Sequence, residues 1–206
     1  HNDVLNTYSQ IVKNAGLDTS FFEIEMFSST RSLTTNEPYP VLIFDMGASG
    51  TKLYIVEHGV IKASHIINKG SQDITMSISK GLNISWDKAE QIKRNLSSLK
   101  SEDQQAIQEI ISLTLDYIFS ESTTILLAFQ KKYNKAVGKV ILTGGGVAQK
   151  GIYDMAKTAF QTDVQMGDPF SKVEAPAFLQ NVLRVTGLEF AVAVGIALRK
   201  LQELNV

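Results

Sequence analysis

The 206-residue sequence contains no cysteine, which excludes disulfides, thiolate metal sites and cysteine nucleophiles and leaves the redox compartment open. It also lacks an excess of either charge: 20 Lys and Arg stand against 21 Asp and Glu, a net charge of −1. That balance gives no electrostatic footprint for nucleic acid and none for a polybasic membrane patch. Long hydrophobic runs are missing as well. A stretch such as Phe190–Leu198 falls far short of the roughly 20 apolar residues that cross a bilayer, and no secretory signal opens the chain. The first residue is His1 rather than Met, which suggests a fragment, a processed form or a tag remnant. What remains is an ordinary globular composition, 44% apolar and 20% charged, with enough chain for one good core or two small ones.

The most informative stretch is Val41–Val56, VLIFDMGASGTKLYIV. A β-rich run to Phe44 ends in Asp45, a Gly-bearing turn follows in the pattern Asp-x-Gly-x-x-x-Thr, and a second run covers Leu53 to Val56, so the stretch reads as a β-hairpin. Gly47 and Gly50 let backbone N–H groups face outward, and Ser49 and Thr51 add hydroxyls. Such a tip can cradle a phosphate with a hydrated Mg²⁺ on Asp45. It is equally a tight hairpin whose Asp bonds its own turn.

Before the hairpin, Val4, Leu5, Tyr8, Ile11, Val12 and Ala15 recur at helical spacing, with Gly16 as the stop, so residues 2–15 read as an amphipathic helix. Phe21–Phe27 is a short apolar-rich run, and Ser28–Glu37 with Pro38 and Pro40 reads as a connector. After the hairpin, His58-Gly59 turns into a third strand, Val60–Asn68. His58 and His65 lack further ligands at metal spacing and read as turn and strand residues. Residues 69–135 read as helical: Asp73–Lys80 closed by Gly81, Trp86 to about Leu96 capped by Ser85, and a long helix opened by a Ser101/Gln104 capping box. On the second of these helices Glu90 and Lys93 share one face, suited either to a ribose and purine edge or to an ordinary solvated charge pair. Lys139–Thr143 reads as a buried strand, followed by Gly144-Gly145-Gly146 and a helix over about 151–160, an arrangement that lets backbone approach a ligand or simply pack tightly. It matches neither the dinucleotide-binding fingerprint nor a P-loop. Asp163–Met166 is a further strand, Ala177–Val185 a helix, and Gly187–Arg199 a small-residue helix able to pack close to a neighbouring backbone.

The order of these pieces resembles the second half of the actin-like ATPase superfamily: hairpin DxGxxxT, AExxK on a helix, strand-GGG-helix, then a Gly/Ala-rich closing helix. Within it the chain is most similar to the PilM-like proteins of type IV pilus assembly, with FtsA-like proteins next. The phrases DMGASGTK (45–52), GSQDITMSISKGLNISWDKAEQIKR (70–94), LTGGGVAQKG (142–151), GDPF (167–170) and FAVAVGIALR (190–199) carry the likeness, and residues 15–31 look like the helix and strand that close the family's first domain. Two departures are Gly70-Ser71, where the family has a Gly pair, and Asp168-Pro169-Phe170, where it has Asn-Pro-Phe.

The resemblance implies an α/β actin-like (ribonuclease-H-like) domain, a mixed sheet flanked by helices. Residues 1–40 would be the tail of a first domain plus a connector, and 41–206 the second domain with a helical subdomain at about 69–135. It implies ATP and Mg²⁺ as ligands, with Asp45 on the metal through water, Gly47, Ser49 and Thr51 on phosphates, Glu90 and Lys93 on ribose or purine, and Gly144, Gly145 and Gly146 against adenosine. No catalytic residue follows. The first phosphate loop has no counterpart here, so half a nucleotide site with weak or absent hydrolysis is expected. The implied role is a cytoplasmic scaffold at the inner face of the cytoplasmic membrane, reached through partners: a PilN-like cytoplasmic peptide, whose groove lies mostly in the first domain, other pilus platform proteins, and copies of itself. The alternatives are an FtsA-like division filament, which would need an amphipathic C-terminal helix longer and less polar than Lys200–Val206, or the ATPase half of a sugar or acetate kinase.

Overall fold

The computed structural model describes residues 2–96 and 99–204; His1 and the Asn205-Val206 end of the tail lie outside them. Five strands form one mixed sheet in the order β3-β2-β1-β4-β5, with β1 Val41–Met46, β2 Thr51–Glu57, β3 Val60–Ile67, β4 Lys139–Thr143 and β5 Asp163–Met166. Strands β1 to β3 are the expected antiparallel meander, turned at His58 and Gly59, which both take positive φ. Strands β1, β4 and β5 run parallel, so their C-terminal ends meet along one sheet edge, where open α/β sheets bind ligands.

Alternation along β1 decides what covers each face. Leu42, Phe44 and Met46 point into a large core beneath helices α3 (Ser71–Leu82), α4 (Trp86–Arg94), α5 (Ser101–Tyr133) and α6 (Ile152–Phe160). Its centre is a three-ring cluster: Phe119 of α5 stacks on Phe44 at 5.5 Å, and Phe160 of α6 meets both rings edge-on. Val41 and Ile43 point the other way, into a smaller core closed by α2 (Glu25–Leu33) and α8 (Ala191–Leu204). A short α7 (Gln180–Thr186) precedes α8. Helix α5 has the length and composition of a bilayer span, yet its stripe of Ile107, Ile111, Leu115, Ile118 and Phe119 is committed to the core.

Three local expectations are corrected. Residues 25–33 form a helix rather than a strand or connector, because Ser28, Ser29 and Ser32 are small enough to bury against α8; a Cβ on Gly195 would run into the Ser28 carbonyl. Glu23 fixes this junction: both Arg31 guanidinium nitrogens bind it at 2.8 Å, and Ser28 and Arg199 bind it as well. Gly81 does not end α3. It lies inside the helix where a Cβ would press on Ile110 of α5, and the stop is Asn83 at φ 51°. The Ser101/Gln104 capping box does not form: Lys100 is the cap residue, and the Gln104 amide donates to the Leu99 carbonyl. Helix α1 (Asn2–Asn14) forms as expected, with no buried residue among those described.

Candidate functional site

A cleft of about 770 Å³ opens at the C-terminal ends of β1 and β4. Its floor is Asp45 and the Gly144–Gly146 turn, one wall is the hairpin tip at Gly47 and Ala48 with Ser71 of α3, and the other is α4 with Glu90, Lys93 and Arg94. Glu189, in the Gly187–Phe190 turn before α8, closes the far side with Ala191 and Val192 at the start of α8. Three motifs distant in sequence therefore share one cavity.

The hairpin tip is held rigidly. Its turn closes with Gly47 N–H donating to the Gly50 carbonyl, while the Gly47 and Ala48 carbonyls accept from Ser71 and Gln72 at the start of α3. Gly70 is indispensable at this crossing, since a Cβ there would stand 2.5 Å from the Ala48 carbonyl. Ser49 is exposed at the tip. Thr51, expected on the phosphates, turns inward: it is fully buried and its hydroxyl donates to the Lys69 carbonyl at 2.8 Å. Thr51 thus anchors the tip from behind.

Asp45 is the half-buried carboxylate of the floor. Burial pushes its carboxyl above the usual carboxylate range, with Lys52 working against that shift and Glu25 adding to it. No hydrogen bond to this carboxylate is present among the described residues, and Gly144 makes the space beside it. Gly144 sits at φ +87°, and a Cβ would stand 2.5 Å from Asp45 Oδ1 and from the Met46 carbonyl. Gly146 is buried against Met46, so its missing side chain serves packing. Gly145 is exposed toward Glu189 and is the glycine that offers bare backbone to the cleft.

Glu90 and Lys93 line the cleft but are already engaged. The Lys93 ammonium donates to the Ser71 carbonyl at 3.1 Å and the Thr75 hydroxyl at 2.8 Å, and pairs with Glu90 Oε2 at 2.7 Å. Three acceptors satisfy its three protons, so Lys93 staples α4 to α3. Burial would raise the Glu90 carboxyl, but hydrogen bonds from Lys93, Thr75 and Arg94 outweigh it and hold the group at about 2. Arg94, which the sequence reading passed over, is the exposed cation of this wall. The spacing of Glu90 to Arg94 (i, i+4) is the signal that would have flagged it.

Comparison with known proteins bears on the family and the fold. The family model described as "Cell division protein FtsA" matches residues 42–195. The FtsA of Enterococcus faecalis is 25% identical over 81% of this chain and 42% of its own length, and that of Bacillus subtilis is 23% identical over 87% and 46%. The chain spans about half the length of these relatives. In fold, it is similar to a PilM-PilN type IV pilus biogenesis complex, with TM-score 0.83 and 22% identity over 95% of this chain and 57% of that one. It is also similar to MreB5 of Spiroplasma citri bound to ADP, with TM-score 0.68 and 17% identity over 94% and 63%. The actin-like ATPase fold expected from the motifs is the fold of these structures. A family match that runs from Leu42 in β1 through the glycine turn to Gly195 in α8 makes this chain a member of the FtsA family.

Proposed function

We propose that this chain is the second, nucleotide-facing domain of an actin-like scaffold and seats Mg·ATP in the cleft between the hairpin tip and the Gly144–Gly146 turn. Asp45 carries this reading: a half-buried carboxylate without a hydrogen-bond partner among the described residues, at the ends of two parallel strands, beside a glycine that leaves room. A carboxylate in that setting gains most from a cation. Asp45 would hold a hydrated Mg²⁺, which supplies charge neutralisation for the phosphates. The tip backbone at Gly47 and the Ser49 hydroxyl would take phosphate oxygens, Gly145 would lie under the adenosine, and Glu90 with Arg94 would face the ribose. Lys93, Thr51, Gly144 and Gly146 support these groups from behind. The likeness to MreB5 bound to ADP favours the same reading.

Residues 1–40 then belong to the end of a preceding domain and its connector, and helices within 69–135 to a helical subdomain. Since the chain covers about half of its relatives, the opposite side of the nucleotide clamp is assigned to the part not covered. Phosphoryl transfer depends on positioning and charge stabilisation, so hydrolysis by this chain is expected to be weak or absent. The role is a PilM-like scaffold of the type IV pilus platform at the inner face of the cytoplasmic membrane, engaging a PilN-like cytoplasmic segment; the likeness to the PilM-PilN complex supports it. A self-associating FtsA-like division scaffold is the second reading, favoured by the family match over residues 42–195. Deleting the gene separates the two: loss of pili with normal septation supports the first, and undivided filamentous cells support the second.

A further inference from the structure

We propose that Glu25 and Lys52 form an electrostatic latch over the cation seat at Asp45, in which Glu25 on α2 holds the Lys52 ammonium aside and so keeps Asp45 open to a divalent cation. The inference rests on the nucleotide reading of the cleft and adds a control that reading does not contain.

Asp45 and Lys52 are directly opposed across the antiparallel β1–β2 pair, so their Cβ atoms lie roughly 5 Å apart on one face of the sheet. A lysine with four rotatable methylenes reaches such a neighbour easily. Yet the ammonium is not on Asp45: it contacts Glu25 Oε1 at 2.6 Å. Glu25 belongs to neither strand. It opens α2, the helix that packs backbone-close on α8 and follows directly from the first segment of the chain. Both partners keep considerable solvent exposure, 31% for Lys52 and 43% for Glu25, so their pair is weak and reversible.

Two arrangements of one ammonium follow. With Lys52 on Glu25, Asp45 retains an unpaired carboxylate and a cation finds it free. With Lys52 on Asp45, the seat is already neutralised, and an arriving Mg²⁺ meets a like charge where it must bind. Glu25 biases the choice toward the open form. Because Glu25 rides on α2, any displacement of α2 relative to the hairpin releases Lys52 onto Asp45. The segment before the hairpin thereby gains a lever on cation binding without touching nucleotide.

The test reads how strongly Mg²⁺ strengthens ADP binding, measured by titration calorimetry as the ratio of the dissociation constants in EDTA and in Mg²⁺. Glu25→Gln is expected to lower that ratio about threefold to tenfold, the range of a released surface charge acting on a half-buried carboxylate. Lys52→Met is expected to hold or exceed the wild-type ratio, and the Glu25→Gln/Lys52→Met double variant to return to the Lys52→Met value. A purely structural role for the pair would change thermal stability and leave the ratio alone. An unchanged ratio in Glu25→Gln, or a double variant as weak as Glu25→Gln, overturns the latch while leaving the nucleotide reading intact. A wild-type chain that binds no ADP, with or without Mg²⁺, overturns both.

Discussion

Gly144→Ala and Gly145→Ala, one residue apart, should behave very differently. Gly144 occupies φ +87°, ψ 158°, a region open essentially to glycine, and an alanine there costs about 1–3 kcal/mol in backbone strain. Its Cβ would also stand 2.5 Å from both Asp45 Oδ1 and the Met46 carbonyl. These belong to β1, so relief requires moving β1 against β4, an overpacking cost of about 1–3 kcal/mol. Together the variant should lose about 3–5 kcal/mol. With a urea m value of about 2 kcal/mol/M, the unfolding midpoint should fall by about 2 M at unchanged m. Gly145 has no positive φ, and a Cβ there meets only the end of the flexible Glu189 side chain at 3.2 Å, so its alanine variant should stay within about 1 kcal/mol of wild type. Midpoints for the two variants within about 0.5 M of each other would refute the view that Gly144 is held by contact with the Asp45 end of β1.

Thr51→Val should cost about 1 kcal/mol through the lost bond to the Lys69 carbonyl while leaving Mg·ATP affinity within twofold by calorimetry; a tenfold affinity loss with unchanged stability would return Thr51 to the phosphates. Lys93→Met removes a saturated ammonium from the α3–α4 junction and should cost about 2–3 kcal/mol, whereas Arg94→Ala on the exposed side should change stability by less than about 0.5 kcal/mol in the same urea assay. Glu23→Gln leaves Arg31 and Arg199 around a neutral amide and should cost about 3 kcal/mol. Hydrogen bonding from Arg31 is the main cause that holds Glu23 at about 2, below the ordinary 4.5. The folded value is depressed, so its contribution is complete above pH 4.5 and disappears as pH falls toward 2. Wild-type stability should therefore drop across that window, and the drop should be shallower in Glu23→Gln.

The features that sequence revealed were those whose chemistry is local. Alternating apolar residues around Asp45–Thr51 specify a hairpin, and a β-branched run before three glycines specifies a strand that must turn sharply. Both lie where expected, in one cleft. Helix α2 was hidden because most of its buried residues, Ser28, Ser29, Thr30 and Ser32 beside Leu33, are small and polar, and they read as connector until the close approach of Gly195 shows why such side chains fit. Gly81 carried a stop signal that packing against Ile110 overrides. Glu90 and Lys93 were visible as a pair, but Thr75 and the Ser71 carbonyl, which saturate Lys93, lie on another helix and 15 or more residues away. Thr51 shows the same limit: a hydroxyl next to a glycine turn suggests a ligand, and only the fold reveals that it faces the Lys69 carbonyl.

Asp45 gives the most direct test. Titration calorimetry of Mg·ATP into the wild-type chain and into Asp45→Ala, repeated in EDTA, isolates the contribution of the carboxylate. Mg²⁺-dependent binding in wild type that falls at least tenfold in Asp45→Ala, with little difference between the two in EDTA, is the predicted result. Equal affinity of the two proteins for Mg·ATP, or no binding by either, would contradict a nucleotide site built on Asp45.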